Sequence, residues 1–245
     1  MFELIVYDTA NRVATITLNR PEKRNAFSPQ LVAELKEAFA AAEADDSVRV
    51  VVLAANGPAF SAGADLAYLQ ALQSNSYEEN LEDSESLMAL YRQIYMLDKP
   101  VIARVQGHAI AGGCGLATVC DFVLAVPEAN FGYTEVRIGF IPAIVMVFLL
   151  QRISGRAARE LLLTGKLIPA ETAQQYGLVN KVIRAEDLDG AVEQLAKELA
   201  ETTSPSAVRM TRQMLGQISD MSMDEALYFA AEMNAKARET DDCRK

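Results

Sequence analysis

Val101-Ile102-Ala103-Arg104-Val105-Gln106-Gly107 leads through His108-Ala109-Ile110-Ala111 into Gly112-Gly113-Cys114-Gly115-Leu116-Ala117-Thr118-Val119. The apolar run Val101 to Val105 is a buried-type strand, and Gly107 follows its end. Gly112-Gly113 then opens a helix that runs through Val119. Two glycines at a helix start sacrifice stability, roughly 1 kcal/mol each against alanine inside a helix. That cost points to close approach, either of a ligand or of another backbone. Phe122 to Val126 is the next strand. Strand, glycine turn, helix and strand again is the order of an α/β core.

The flanking sequence repeats this logic. Val48 to Ala54 reads as another buried strand, and Phe60-Ser61-Ala62-Gly63-Ala64-Asp65-Leu66 follows it. There Gly63 turns the chain and Ala64 is expected to begin a helix. Leu4 to Tyr7 and Val13 to Leu18 form an opening hairpin around the turn formers Asp8 to Arg12. Ser28-Pro29 caps a helix that extends to about Ala42, with Leu31, Leu35, Ala38 and Phe39 on one face. Beyond about Leu161 the chain is mostly helical, with helices from Ser204-Pro205 and over Asp224 to Arg238. Met210, Met214, Met221, Met223 and Met233 are expected as adaptable core or interface residues. The sequence contains no internal repeat or low-complexity tract.

Composition narrows the function classes. A chain of 245 residues with 51% hydrophobic and 23% charged residues is long and apolar enough to bury a sizeable core. The formal net charge of −10 disfavours nucleic-acid binding, which needs a basic surface. Three cysteines, Cys114, Cys120 and Cys243, form no even framework and have no metal-ligand spacing. A disulfide scaffold and a metal site are therefore not expected. With a single histidine, His108, a serine triad has little to draw on. Met1 to Tyr7 lacks signal-peptide character, and the apolar run Ile141 to Leu150 is about half of a bilayer span. The expectation is a cytoplasmic protein without a membrane segment.

The two glycine segments each place a small residue where a helix begins, and the first N–H groups of a helix lack intrahelical partners. The N–H groups of Ala64 and Gly112 are thus candidate donors to one developing oxyanion. Taken alone, the first segment reads as well as a tight turn, and the second has tight helix–strand packing as its alternative. Glu135, in Gly132-Tyr133-Thr134-Glu135, is the candidate proton carrier. Its aromatic and apolar surroundings favour burial and a raised pKa. The competing role is a cap or an ion pair with Arg137. His108 is expected to be packed and hydrogen-bonded, Asp121 to cap or orient the next strand without a catalytic part, and Cys114 to be a buried inert thiol.

These segments, in this order, resemble the crotonase superfamily, the enoyl-CoA hydratase/isomerase group. The resemblance runs over nearly the whole chain. It is carried by Leu18-Asn19-Arg20-Pro21 with Asn25-Ala26, by Phe60 to Leu66, by Lys99 to Ala103, and by Gly107 to Asp121. Phe131 to Pro142, Leu163-Thr164-Gly165 and Ala173 to Val182 continue it. The resemblance implies an α/β fold, a spiral of ββα turns. It divides the chain into a core over 1–190 with the acyl-CoA site and a helical region over 191–245 for assembly into a homotrimer or hexamer. It implies a thioester carbonyl held by Ala64 and Gly112, and CoA running along Arg24, Ala26, Ala62, Asp65, Leu66 and Gly113. Lys23 and Arg24 supply local positive charge for an anionic CoA. No separate cofactor is implied, since CoA is part of the substrate.

One departure bears on the reaction. Typical short-chain hydratases carry a second glutamate where this chain has Gly115. Single-acid relatives include enoyl-CoA isomerases and hydratases of branched or carboxylated enoyl-CoAs. Gly113 to Ala117 and Phe131 to Ala143 are similar to methylglutaconyl-CoA hydratases, which favours hydration of a 2-enoyl-CoA. A double-bond isomerase and a non-catalytic acyl-CoA-binding scaffold are the alternatives.

Overall fold

The structure is a computed structural model that describes residues 2–244, with Leu66 described by its backbone alone. Strands β1 (Ile5–Ala10) and β2 (Val13–Leu18) pair as an antiparallel hairpin in which Ala10 faces Val13. Only Asn11 and Arg12 turn the chain, with φ of 51° and 66°. A two-residue turn with both residues left-handed matches the strand twist. The turn is therefore shorter than the Asp8–Arg12 segment expected, and β1 runs through Ala10. Helix α1 (Pro29–Ala44) starts as expected, with Ser28 Oγ accepting from the Leu31 N–H at 3.2 Å. Its buried face includes Leu31, Leu35, Ala38 and Phe39.

Three ββα turns follow. The first contains β3 (Val50–Ala55), β4 (Ala59–Ser61), α2 (Leu66–Leu72) and α3 (Tyr77–Met96). The second contains β5 (Val101–Val105), β6 (His108–Ile110) and α4 (Gly112–Thr118). The third contains β7 (Phe122–Ala125), β8 (Asn130–Gly132), a 3₁₀ turn over Glu135–Ile138 and α5 (Ala143–Leu149). With β9 (Ile168–Pro169) and β10 (Lys181–Val182) later in the chain, the longer strand of each turn enters a sheet of order β1-β2-β3-β5-β7-β10, and the shorter one a sheet of order β4-β6-β8-β9. Within the turns, β3, β5 and β7 run parallel, as do β4, β6 and β8. Each turn thus adds one strand to each sheet, which makes the chain a spiral of the expected kind. The repeat is geometric. It leaves no mark in the sequence because the shorter strands are only three residues long.

The remaining elements close the spiral. They are α6 (Gly155–Thr164), β9 (Ile168–Pro169), α7 (Ala170–Tyr176), β10 (Lys181–Val182), α8 (Leu188–Thr202), α9 (Pro205–Leu215), α10 (Met223–Ala237) and α11 (Asp241–Arg244). All of β3 is buried, as a strand covered on both faces must be. Helix α8 contributes Leu188, Val192, Ala196 and Ala200 to the core. Of the five C-terminal methionines, Met233 is buried and Met223 is exposed. Leu215, Leu227 and Tyr228 are exposed beside Met223, so α9 and α10 carry an open apolar surface. Among the described residues no helix is long and apolar enough to cross a membrane.

Candidate active site

The first donor segment differs from its sequence reading. Ala64 does not begin a helix: α2 starts at Leu66, and Asp65 is its cap, accepting from the Ala67 N–H at 2.9 Å. A carboxylate immediately before an apolar run takes the cap position, and this moves the helix start past Ala64. Ala64 instead forms a parallel bridge with Phe27. Phe27 N–H donates to the Gly63 carbonyl at 2.7 Å, and Asp65 N–H donates to the Phe27 carbonyl at 3.0 Å. In such a bridge the residue between the two bonds turns its own N–H to the opposite side. The Ala64 N–H has no acceptor among the described residues. The donor survives the correction, but strand geometry frees it, not a helix start.

The second donor is the first N–H of α4. Ala111 precedes it with φ 51° and ψ −126°, a conformation costly for a residue with a β-carbon. The hydrogen bond from Ala111 N–H to the Gly132 carbonyl, at 2.8 Å, holds it there. Gly112 N–H has no acceptor among the described residues. The two segments abut. A β-carbon at Gly63, where φ is +81°, would lie 2.8 Å from Ala111 Cβ, 3.0 Å from Ile110 O and 3.3 Å from Gly112 N. At Gly113 a β-carbon would lie 2.7 Å from Ser61 Cβ and overlap the Ser61 carbonyl. The close approach that Gly113 permits on that side is to another backbone.

Glu135 opens the 3₁₀ turn that follows β8 and is 9% exposed. Its Oε2 is buried without a hydrogen-bond partner among the described residues. Arg137 does not pair with it. That guanidinium is exposed, and its Nε donates to the Thr164 carbonyl at 3.4 Å. Burial pushes the Glu135 carboxyl above the usual range, and a hydrogen bond from its own N–H opposes this more weakly. Its position relative to α4 is tied twice. Ala111 bonds to Gly132, and the buried Tyr133 hydroxyl meets Thr118 Oγ1 at 2.6 Å. Thr118 in turn donates to the Cys114 carbonyl at 2.8 Å. Cys114 is fully buried, and burial pushes its thiol up to about 12, as expected for an inert thiol.

The residues expected along CoA are brought together. Ala62 N–H donates to the Arg24 carbonyl at 3.0 Å. The Ala26 carbonyl accepts from Arg20 Nη1 at 3.1 Å, and Arg20 Nη2 pairs with Asp65 at 3.0 Å. Lys23 and Arg24 are exposed beside them. For Leu66 only the backbone is described, so the expectation for its side chain lies outside the described residues. His108 is hydrogen-bonded as expected, its Nδ1 accepting from the Asn130 N–H at 3.1 Å, but it is exposed and not packed.

Sequence reading assigned no role to two residues. Asn25 is fully buried, and its side chain accepts from Arg20 N–H and donates to the carbonyls of Asn56 and Ala59. It thereby fastens the Arg20–Ala26 loop to the first donor segment, and asparagine in a left-handed turn was the available signal. Tyr91, in α3, is also fully buried and donates to the Gly112 carbonyl at 2.7 Å. Nothing in the sequence marks it.

Two surface clefts lie elsewhere. One of about 360 Å³ is bounded by Glu43, Lys99 and Arg209, and another of about 580 Å³ lies between Val52 and Val192. Neither is lined by Ala64, Gly112 or Glu135.

Gly63 gives a direct test of how the donor segments meet. Gly63→Ala puts a methyl group into Ala111 and strains a left-handed residue. Turnover is expected to fall by roughly 10²-fold, the loss typical of a displaced oxyanion donor. Steady-state kinetics with a near-ultraviolet circular dichroism control would check it. Wild-type turnover in the folded variant would mean that the two segments do not act together.

Known proteins resemble this chain over nearly its whole length. The profile of the family described as Enoyl-CoA hydratase/isomerase matches residues 8–245. A "putative enoyl-CoA hydratase" of Thermus thermophilus is 43% identical over 233 residues, 95% of this chain and 92% of that one. A crotonyl-CoA hydratase of Syntrophomonas wolfei is 34% identical, covering 94% of this chain and 88% of that one. The crystal structure of an enoyl-CoA hydratase from Mycobacterium smegmatis superposes with a TM-score of 0.94 at 33% identity, covering 98% and 93% of the two chains.

Proposed function

The chain belongs to the enoyl-CoA hydratase/isomerase family, an enzyme family, and within it we propose that this member adds water to a 2-enoyl-CoA thioester. The observation that carries the reading is Glu135. A buried carboxylate oxygen without a partner is costly in a purely structural role, and the charge of Glu135 is felt at Tyr91, which donates to the Gly112 carbonyl. The thioester oxygen accepts from Ala64 and Gly112. As water oxygen bonds to C3, Glu135 takes one water proton and negative charge moves onto the thioester oxygen. The protonated Glu135 then gives that proton to C2. The enolate collapses, the carboxylate is restored, and one water has been added. A raised carboxyl pKa suits both halves of this cycle, because it narrows the gap between taking and returning a proton.

CoA runs past Arg24, Ala26, Ala62, Asp65, Leu66 and Gly113 in this reading. Arg24 and Lys23 face its phosphates, while Asp65, held by Arg20, shapes the loop. The open apolar surface of α9 and α10 is the assembly face of a homotrimer or hexamer, which sets 191–245 apart in role from the core over 1–190.

Double-bond isomerisation is the second reading, since Glu135 alone can move a proton from C2 to C4 of a 3-enoyl-CoA. It is favoured by Val145, whose side chain closes on Gly115 of α4. Mass-resolved turnover of crotonyl-, 3-methylcrotonyl-, 3-methylglutaconyl- and 3-hexenoyl-CoA separates the two. A gain of one water is the expected result. An unchanged mass with a shifted alkene would overturn hydration, and no turnover with intact CoA binding would leave a binding scaffold.

A further inference from the structure

Glu135 is the carboxylate beside the donor segments, and α4 itself shows what stands where another group would have entered. Gly112 and Gly115 are three residues apart on one face of that helix. Both face the same hydroxyl: a β-carbon at either position would lie 3.1 Å from Tyr91 Oη. At Gly115 that β-carbon would also lie 3.2 Å from Val145 Cβ and would overlap Val145 Cγ1. Val145, on α5, is 4% exposed, so the space before Gly115 is filled by its isopropyl group. The Tyr91 proton is committed to the Gly112 carbonyl. Glu135 is near enough for its charge to oppose ionisation of both Tyr91 and Cys114, the residue before Gly115.

We propose that Val145 is a specificity-determining residue: by filling the space before Gly115 it excludes a second polar group from that side, leaving Glu135 as the sole proton carrier. The inference rests on the role assigned to Glu135 above. The two positions are coupled by size. A side chain at 115 requires a smaller residue at 145, and a smaller residue at 145 admits water or a carboxylate.

A reciprocal swap tests this, read by crotonyl-CoA hydration and thermal melting. Gly115→Glu alone drives a side chain into Val145, so a lower melting temperature and lower turnover are expected. Combining it with Val145→Gly restores the melting temperature toward wild type. The double variant then hydrates crotonyl-CoA faster than wild type by roughly 10²-fold, the low end of what a placed acid–base group contributes. Its pH profile gains a second titrating limb, which repacking alone would not add. The inference is overturned if Gly115→Glu alone melts and turns over like wild type, or if the double variant is no better than that single one. Val145→Ala, a milder change, raises hydration severalfold while KM is kept; unchanged hydration in that folded variant also overturns it. Glu135→Gln in the wild-type background keeps the failures apart. Full activity there removes the reading of Glu135, whereas an inactive Glu135→Gln with indifferent Val145 variants removes only the role of Val145.

Discussion

Glu135→Gln loses turnover by about 10²–10⁴-fold, the contribution of a positioned proton-transfer group, while acyl-CoA binding persists. Glutamine keeps the shape of the side chain and removes only its capacity to take and return a proton. The same substitution stabilises the fold at neutral pH. A carboxyl whose folded pKa is raised binds its proton more tightly in the native state than in the unfolded one. Its stabilising contribution is full below the unfolded pKa and is lost as pH rises through the folded value. Above the unfolded pKa the wild type therefore carries a penalty for its buried carboxyl, and the Gln variant carries none. Its melting temperature at neutral pH is expected to be higher than that of the wild type. Near pH 4 the difference shrinks, because both side chains are then neutral. Scanning calorimetry at the two pH values, with single-turnover kinetics, checks both halves. A Gln variant that turned over like wild type would refute the proton-transfer role, whatever its stability.

What was legible in the sequence follows from how locally each feature is determined. The strand Val50–Ala55 is a continuous apolar run, and its burial on both faces was readable from that run alone. Ser28-Pro29 fixes the start of α1 through its own side chain and ring. The opening hairpin was found, but Asn11 and Arg12 carry the reversal by themselves, so the turn was drawn too wide. At Ala64 the donor was found for the wrong reason. The pairing partner, Phe27, lies far away in sequence, and no local pattern announces a parallel bridge. Ala111 is a sharper case: an alanine gives no sign of a φ of 51°, which the Gly132 carbonyl imposes from the next turn of the spiral. Tyr91 and Val145 are of the same kind. Each looks like ordinary helix interior, and each matters only because the spiral sets α3 and α5 against one face of α4.

Asp121 joins distant elements in the same way, and its loss is expected to have the largest effect on stability. Sequence reading assigned it to capping or orienting the strand that follows it, but its Oδ2 accepts from Val101 N–H at 2.7 Å, at the start of the neighbouring β5. It also pairs with Arg212 of α9, Oδ2 to Nη2 at 2.9 Å and Oδ1 to Nε at 3.0 Å. Arg212 is 9% exposed, and its Nη1 has no partner among the described residues. The remaining bonds of its Nη2, to the carbonyls of Ile94 and Tyr95 at 3.4 and 3.5 Å, are long. Asp121→Ala therefore strands a buried guanidinium and orphans a strand N–H at once. Breaking a buried pair from one side costs about 3–5 kcal/mol, which corresponds to a melting-temperature drop of about 6–20 °C. Because Arg212 anchors α9 to the spiral, the C-terminal helices should loosen first, and hydrogen exchange should rise over Pro205–Leu215 before it rises in β3. Removing both charges with Asp121→Ala and Arg212→Leu should recover part of the loss, since no uncompensated charge then remains buried. A single variant that lost less than about 1 kcal/mol in urea unfolding, the scale of an exposed pair, would show that α9 is held by packing alone.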